Sequence, residues 1–234
     1  VKGFGMAGQR AKRSGRTERV AQRLAKPAID PCPPGQIGGL YKPLSDSDLR
    51  RIYDTALDLL EKLGIGEVPD RLRADLLAIG AMDNGKGRVL FPPALVEEAI
   101  DQAAKTFILH GRDPSRSIEV GGNKVYFGTG GAAVQTLDLD SGTYRPSTLQ
   151  DLHDFTRLQD TLANVSWFTR CCVATDVPDT FDLDVNTAFA LLKHTTKPTA
   201  TSFTLAEHVG LIVEMLDIAA GGAGAFSKRP FLKA

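Results

Sequence analysis

Charge imbalance, cysteine and long apolar runs are all scarce in this chain. Of its 234 residues, 28 are Lys or Arg and 28 are Asp or Glu, so the formal net charge is zero. No run of 18 apolar residues occurs. The nearest, residues 209–226, contains Glu214 and Asp217, which argues against a membrane span. Residues 1–30 carry no apolar segment of the kind a secretory signal needs. The three cysteines, Cys32, Cys171 and Cys172, are odd in number and two are adjacent, so they suggest neither a disulfide framework nor a Cys-x-x-Cys metal knuckle. His110, His153 and His208 lack metal-ligand spacing, and no metal site is expected. The expectation is a cytoplasmic, reduced protein.

The zero balance conceals an asymmetry. Residues 1–28 hold Lys2, Arg10, Lys12, Arg13, Arg16, Arg19, Arg23 and Lys26 against Glu18 alone, which leaves the remainder acidic. Such an arm is either a solvated or interface-bound tail or a nucleic-acid contact; nucleic acid is not the partner expected. A short helix is expected over 17–24, and residues 31–39 read as a Pro/Gly linker. From Ser45 to Leu63 runs an amphipathic helix. Ser45 or Asp46 caps it, Leu49, Ile52, Ala56, Leu59, Leu60 and Leu63 form its stripe, and Gly64 stops it. Further helices are expected over 69–79 and 94–104, the second opened by Pro92-Pro93, with a short strand at Val89–Phe91. This organisation divides the chain into an arm and linker (1–44), an α-rich subdomain (45–118) and a region from 119 to 234.

The last region is periodic. Val125–Phe127 begins a strand, Gly128-Thr129-Gly130-Gly131 breaks it, and residues 134–145 fold back as a hairpin through Asp140-Ser141-Gly142. Helices over 148–162, 181–194 and 205–220 then alternate with strands over 164–172, 199–203 and 229–233. Strand–helix alternation argues for a parallel sheet, and a spacing of roughly 35 residues suits a (β/α) barrel of about 250 residues. Three and a half units make half of an eight-stranded barrel. Because the chain stops inside a strand, a truncated product or fragment is expected, preceded by the α-rich subdomain.

Topology sorts the polar residues. Loops after strands lie on the catalytic face of such a barrel and loops after helices on the other. Gly128, Thr129, Gly130 and Gly131 follow the first strand. Arg170, Thr175, Asp176 and Asp179 follow the second, and Phe203, Thr204 and Glu207 belong to the third. His194 and Lys197 follow a helix and read as structural. The glycine loop fits neither a dinucleotide fingerprint nor a Walker loop, and is either a site or a tight turn. The acidic residues are ligand contacts or helix N-caps. Cys171-Cys172 is a redox pair or a buried pair of small residues.

Several pieces occur together in order: the Arg-rich leader, Pro34-Gly35-Gln36-Ile37-Gly38-Gly39-Leu40-Tyr41-Lys42-Pro43-Leu44, Leu59-Leu60-Glu61-Lys62-Leu63-Gly64, Phe127-Gly128-Thr129-Gly130-Gly131, residues 145–152, Thr196-Lys197-Pro198 and Arg229-Pro230-Phe231. Together they resemble the trimethylamine methyltransferase (MttB) family, which is about twice as long, so that the resemblance covers its N-terminal half. It implies a TIM barrel that moves a methyl group from a methylated amine, trimethylamine or a quaternary amine such as glycine betaine, to the Co(I) of a corrinoid. That cofactor is carried by a cognate partner protein, and none is expected to be bound directly. The full-length protein is expected to be a homo-oligomer, and this piece alone inactive. Some members of the family use pyrrolysine, at a position beyond this sequence. On this reading Gly128 to Gly131 contact substrate through backbone, with Arg170 and Phe203 beside them and Asp176 or Glu207 balancing an ammonium charge. Tyr126, Phe127, Trp167, Phe168 and Phe203 supply either an aromatic cage or core. The alternative is a non-catalytic half-barrel that only binds or dimerises.

Overall fold

The computed structural model describes residues 15–17, 20, 21, 30 and 32–233. Most of the basic arm, including Lys2, Arg10, Lys12, Arg13, Arg19, Arg23 and Lys26, lies outside the described residues. Within residues 17–24, the described positions 17, 20 and 21 are helical. Val1–Pro33 forms one unit and Pro34–Ala234 another, and everything below belongs to the second.

Helix α1 (Asp46–Lys62) forms where its ends are satisfied. The Ser45 hydroxyl accepts from the Asp48 amide, Asp46 and Asp48 meet the positive end of the dipole, and Lys62 meets the negative end. Gly64 ends the helix for two reasons. Its φ is +64°, and a Cβ there would sit 2.1 Å from the Val89 carbonyl oxygen. That close approach seats α1 on an antiparallel sheet of β2 (Ile65–Gly66), β4 (Arg88–Leu90) and β3 (Met82–Asp83), in the order β2-β4-β3. The only strand expected here was Val89–Phe91. Residues 45–118 thus hold short strands as well as helices, with α2 (Asp70–Ala78) and α3 (Pro93–Gln102) beside this sheet. A hairpin of β5 (Thr106–Leu109) and β6 (Ile118–Gly121) follows. Gln36–Ile37, read from composition as linker, is strand β1 and pairs antiparallel with β7 (Lys124–Val125). Strands this short carry no alternation from which to read them.

Past the hairpin formed by residues 135–146, the strands run parallel and in sequence order. β10 (Phe168–Thr169) pairs with β11 (Thr199–Ala200), and β11 with β12 (Leu232–Lys233). Phe127 extends the sheet through a parallel bridge to Val165, its carbonyl accepting from the Ser166 amide at 3.0 Å. Helices α4 (Leu149–Thr161), α5 (Thr180–His194) and α6 (Val209–Ala220) connect these segments, and a final short helix, α7 (Ala225–Lys228), leads into β12. Phe168, Ala188, Leu191, Ile212, Leu216, Phe231 and Leu232 form the main buried cluster. Leu152, Cys172 and Ala190 form a second. Each fully buried large apolar side chain contributes about 1.5–3 kcal/mol, so the sheet and its helices hold the stability. Among the described residues the sheets are small and none closes on itself.

Candidate functional site

The hairpin of β8 (Gln135–Leu137) and β9 (Tyr144–Pro146) hangs from the end of the first parallel segment, as its turn residues require. Gly142 has φ +69°, and Asp138 accepts from the Ser141 amide and hydroxyl. Arg145 locks this hairpin to α4 by a two-bond contact with Asp151, at 2.7 and 2.8 Å, and a third bond to Asp138. Asp151 also completes a capping box with Thr148. The Arg145 guanidinium holds the Asp151 carboxyl well below the ordinary carboxylate range, against the upward push of burial.

Three loops meet at the C-terminal end of the parallel strands. The Thr129 hydroxyl donates to the Thr169 carbonyl at 3.4 Å, and the Ala132 and Ala133 amides donate to the carbonyls of Arg170 and Cys171. The Arg170 guanidinium then reaches across to the Ser202 hydroxyl at 2.9 Å. Thr129, Gly131 and Arg170 are thereby brought together, with Ser202, which sequence reasoning passed over, as the link to the third strand. Gly128, Gly130 and Gly131 do not adopt positive φ. Instead Ala132 carries the positive φ, +65°, and the glycines permit contact. A Cβ on Gly128 would lie 2.4 Å from the Trp167 ring, and one on Gly131 would lie 2.9 Å from the Thr169 methyl, whereas Gly130 faces open space.

The remaining expected residues are placed differently. Asp176 accepts from the Leu149 amide at 2.8 Å, at the start of α4. Asp179 caps α5 through the Asp182 amide. Phe203 packs against the main core cluster, and Phe168 is fully buried within it. The Trp167 ring already carries a cation, with Lys233 Nζ 4.7 Å from its centroid. Glu207 is exposed on the 3-10 turn Ala206–His208.

Behind these loops sits a network that sequence reasoning missed. Asp184, fully buried on α5, accepts from the Thr204 amide at 2.8 Å, the Thr204 hydroxyl at 3.0 Å and His208 Nδ1 at 2.7 Å. Burial pushes its carboxyl up, but donation by His208 and Thr204 more than offsets this and holds it below the ordinary range. An ionised carboxylate only accepts, so His208 Nδ1 carries the proton. The signal was present in the sequence. Asp184 lies one turn before Ala188 and two before Leu191 on the buried stripe of α5, and a carboxylate on such a stripe requires donors.

Lys197 lies ahead of β11 at the opposite end of the strands, and its ammonium donates to the Gln159 and Leu162 carbonyls at the end of α4. His194 is less cleanly separated. Its Nε2 lies 2.9 Å from His153 Nδ1, one helical turn from Leu149, whose amide Asp176 holds. Among the described residues no group of three or more His, Cys, Asp or Glu is placed to hold a metal ion, and no helix is long and apolar enough to cross a membrane.

Comparison with known proteins agrees with the ordered motifs. Over 187 residues, 80% of this chain, the sequence is 27% identical to trimethylamine methyltransferase MttB of Desulfitobacterium hafniense, covering 38% of that relative. Over 131 residues it is 29% identical to a glycine betaine methyltransferase of the same species, covering 56% of this chain and 27% of the relative. It is 27% identical over 154 residues to trimethylamine methyltransferase MttB1 of Methanosarcina mazei, which is 64% of this chain and 31% of the relative. The stretches that match thus cover 38% or less of the length of these relatives. The family model for trimethylamine methyltransferase (MTTB) matches residues 8–233, and the chain belongs to that family.

Proposed function

We propose that this chain is part of a methyltransferase that takes a methyl group from a methylated amine, trimethylamine or a quaternary amine such as glycine betaine, and passes it to the Co(I) of a corrinoid presented by a partner protein. The proposed frame is an eight-stranded (β/α) barrel of which these strands form the first part. The observation that carries the reading is the meeting of loops 128–133, 170–176 and 202–207 at one end of consecutive parallel strands, where barrel enzymes place their chemistry.

A corrinoid presented by the partner would supply the nucleophile for the methyl carbon, and the amine would leave with the electron pair of the broken C–N bond. Little acid–base work is required of the protein. Its residues must align the ammonium, exclude water and balance charge. Gly128 and Gly131 pack against Trp167 and Thr169, and Gly130, which faces open space, leaves its backbone approachable by a ligand. Asp176 supplies a carboxylate beside the loops. At about 4 Å from an ammonium it contributes roughly 4 kcal/mol at an effective dielectric of 20, before desolvation is subtracted. The relatives named for trimethylamine and glycine betaine support a methylated amine as the donor.

Asp176→Asn tests this in the full-length enzyme, assayed with a corrinoid protein and a panel of methylamines and betaines. The substitution keeps an oxygen for the Leu149 amide and removes only the charge. KM for the amine is expected to rise about tenfold, with the melting temperature nearly unchanged. An unaltered KM rejects this role for Asp176, and failure of every amine to methylate the corrinoid rejects the reaction.

A further inference from the structure

At the N-terminal end of the same strands, away from the loops above, lies a cavity of about 540 Å³. Its walls include Ser115, Arg116, Tyr126, Asp160, Ser166 and Lys197. The 3-10 turn Pro114–Arg116 brings in Arg116, the end of α4 brings in Asp160, and the residues ahead of β10 and β11 bring in Ser166 and Lys197. Arg116 pairs with Asp160, whose Oδ1 also accepts from the Thr195 hydroxyl at 2.7 Å. Lys197 gives two of its three ammonium protons to the Gln159 and Leu162 carbonyls, each at 2.8 Å. Two cations thus face one carboxylate, and the wall carries one excess positive charge. Lys197 is only 8% exposed, where an uncompensated charge is costly.

Ser166 is the second, independent observation. It is 7% exposed, and its Oγ is buried without a hydrogen-bond partner among the described residues. Native structures leave few such groups unsatisfied, because an unmade bond forfeits the hydroxyl's hydration. Here the orphan hydroxyl belongs to a residue on the wall of a cavity that also has cationic charge to spare.

We propose that this cavity binds a small oxyanion, a carboxylate or a phosphate group, held by Arg116 and Lys197, with the Ser166 hydroxyl, shielded from solvent in this conformation, turning about its Cα–Cβ bond to act as the neutral donor. Guanidinium presents five N–H donors in a plane suited to two oxygens at once, and its pairing with Asp160 leaves donors to spare. The volume lies in the range of small-molecule sites, about 300–1,000 Å³. The site does not depend on the amine reaction. A wall with excess positive charge repels an ammonium, so the two ligands are told apart by sign.

Calorimetric titration of the full chain with sodium phosphate and with sodium acetate, at constant ionic strength and with chloride as control, tests the proposal. Saturable binding of at least one anion is expected, and Arg116→Gln weakens it at least about tenfold. Ser166→Ala removes a hydroxyl that no group among the described residues bonds. It is expected to raise the melting temperature of the anion-free chain while shrinking the rise that the anion produces, a pairing that a merely structural serine does not give. Should Arg116→Gln fail to fold, Ser166→Ala carries the test alone. Binding of phosphate only assigns the site to phosphate esters, and binding of acetate only assigns it to carboxylates. No saturable binding of either, or equal binding by wild type and both variants, overturns the proposal.

Discussion

A methyl group added at Gly128 would lie 2.4 Å from Trp167 Cε2, inside the ring's own contact surface. The indole is held beneath the Lys233 ammonium and beside a sheet whose core is filled, so it has little freedom to retreat. Gly128→Ala is therefore expected to cost about 1–3 kcal/mol, the usual penalty of overpacking. Gly131→Ala is expected to cost less, since its nearest obstacle is a threonine methyl, and Gly130→Ala close to nothing. Urea denaturation of the three variants measures the ranking, and equal losses would contradict it. Ala132 is the converse case. It holds a left-handed conformation that disfavours any residue with a Cβ by roughly 1–2 kcal/mol. The glycine run announced a tight place in the sequence, but which atoms crowd it became visible only once Trp167 and Thr169 were in position. Contacts across 38 or so residues leave no local pattern.

Helices α4 and α5 meet through the His153–His194 pair as well as through apolar contacts. Burial holds the His153 imidazole below the ordinary histidine range, and Lys193 and Arg157 push the same way against Asp154. His194 is lowered by burial, by His153 itself and by the same two cations, again against Asp154. The unfolded chain therefore binds protons first as pH falls below about 6.5. The stability linked to this pair is fully present above that value, is lost as pH drops towards the folded-state values, and falls no further once both states are protonated. The urea midpoint is expected to be lower at about pH 5 than at about pH 7.5, and His194→Gln to narrow the gap. An unchanged gap in the variant would show that other groups set it. The depressed carboxyls of Asp151 and Asp184 act in a lower window, since ordinary carboxylates titrate near 4. These helices were legible because their signals are local. Thr148 and Asp151 form a capping box, Asp179 caps α5, and Gly221 closes α6 at φ +107°. The histidine pair was not legible, because it joins two residues 41 positions apart whose helix phases a sequence does not give.

Stability is uneven across the molecule. Phe168, Leu191, Ile212 and Leu216 are almost wholly buried, whereas Leu49, Ile52, Leu59 and Leu63 on α1 each remain more than half exposed, so the stripe that is strongest in sequence packs least. Native-state hydrogen exchange is expected to be slowest at the amides of Phe168, Arg170, Thr199 and Thr201, which bond from strand to strand, and fast along α1. Comparable protection of α1 would mean that another surface covers its stripe. Amphipathic periodicity shows which face of a helix is apolar; what lies against that face is a property of the whole molecule. The strand order of the parallel sheet carries a further consequence. β11 pairs with β10 and β12 with β11, so each strand finds its neighbour already made. A chain leaving the ribosome can therefore lay down this sheet in the order of its synthesis, with no strand waiting for a later one. A nascent chain held on the ribosome after α6 has emerged should already protect the β10–β11 pair from protease.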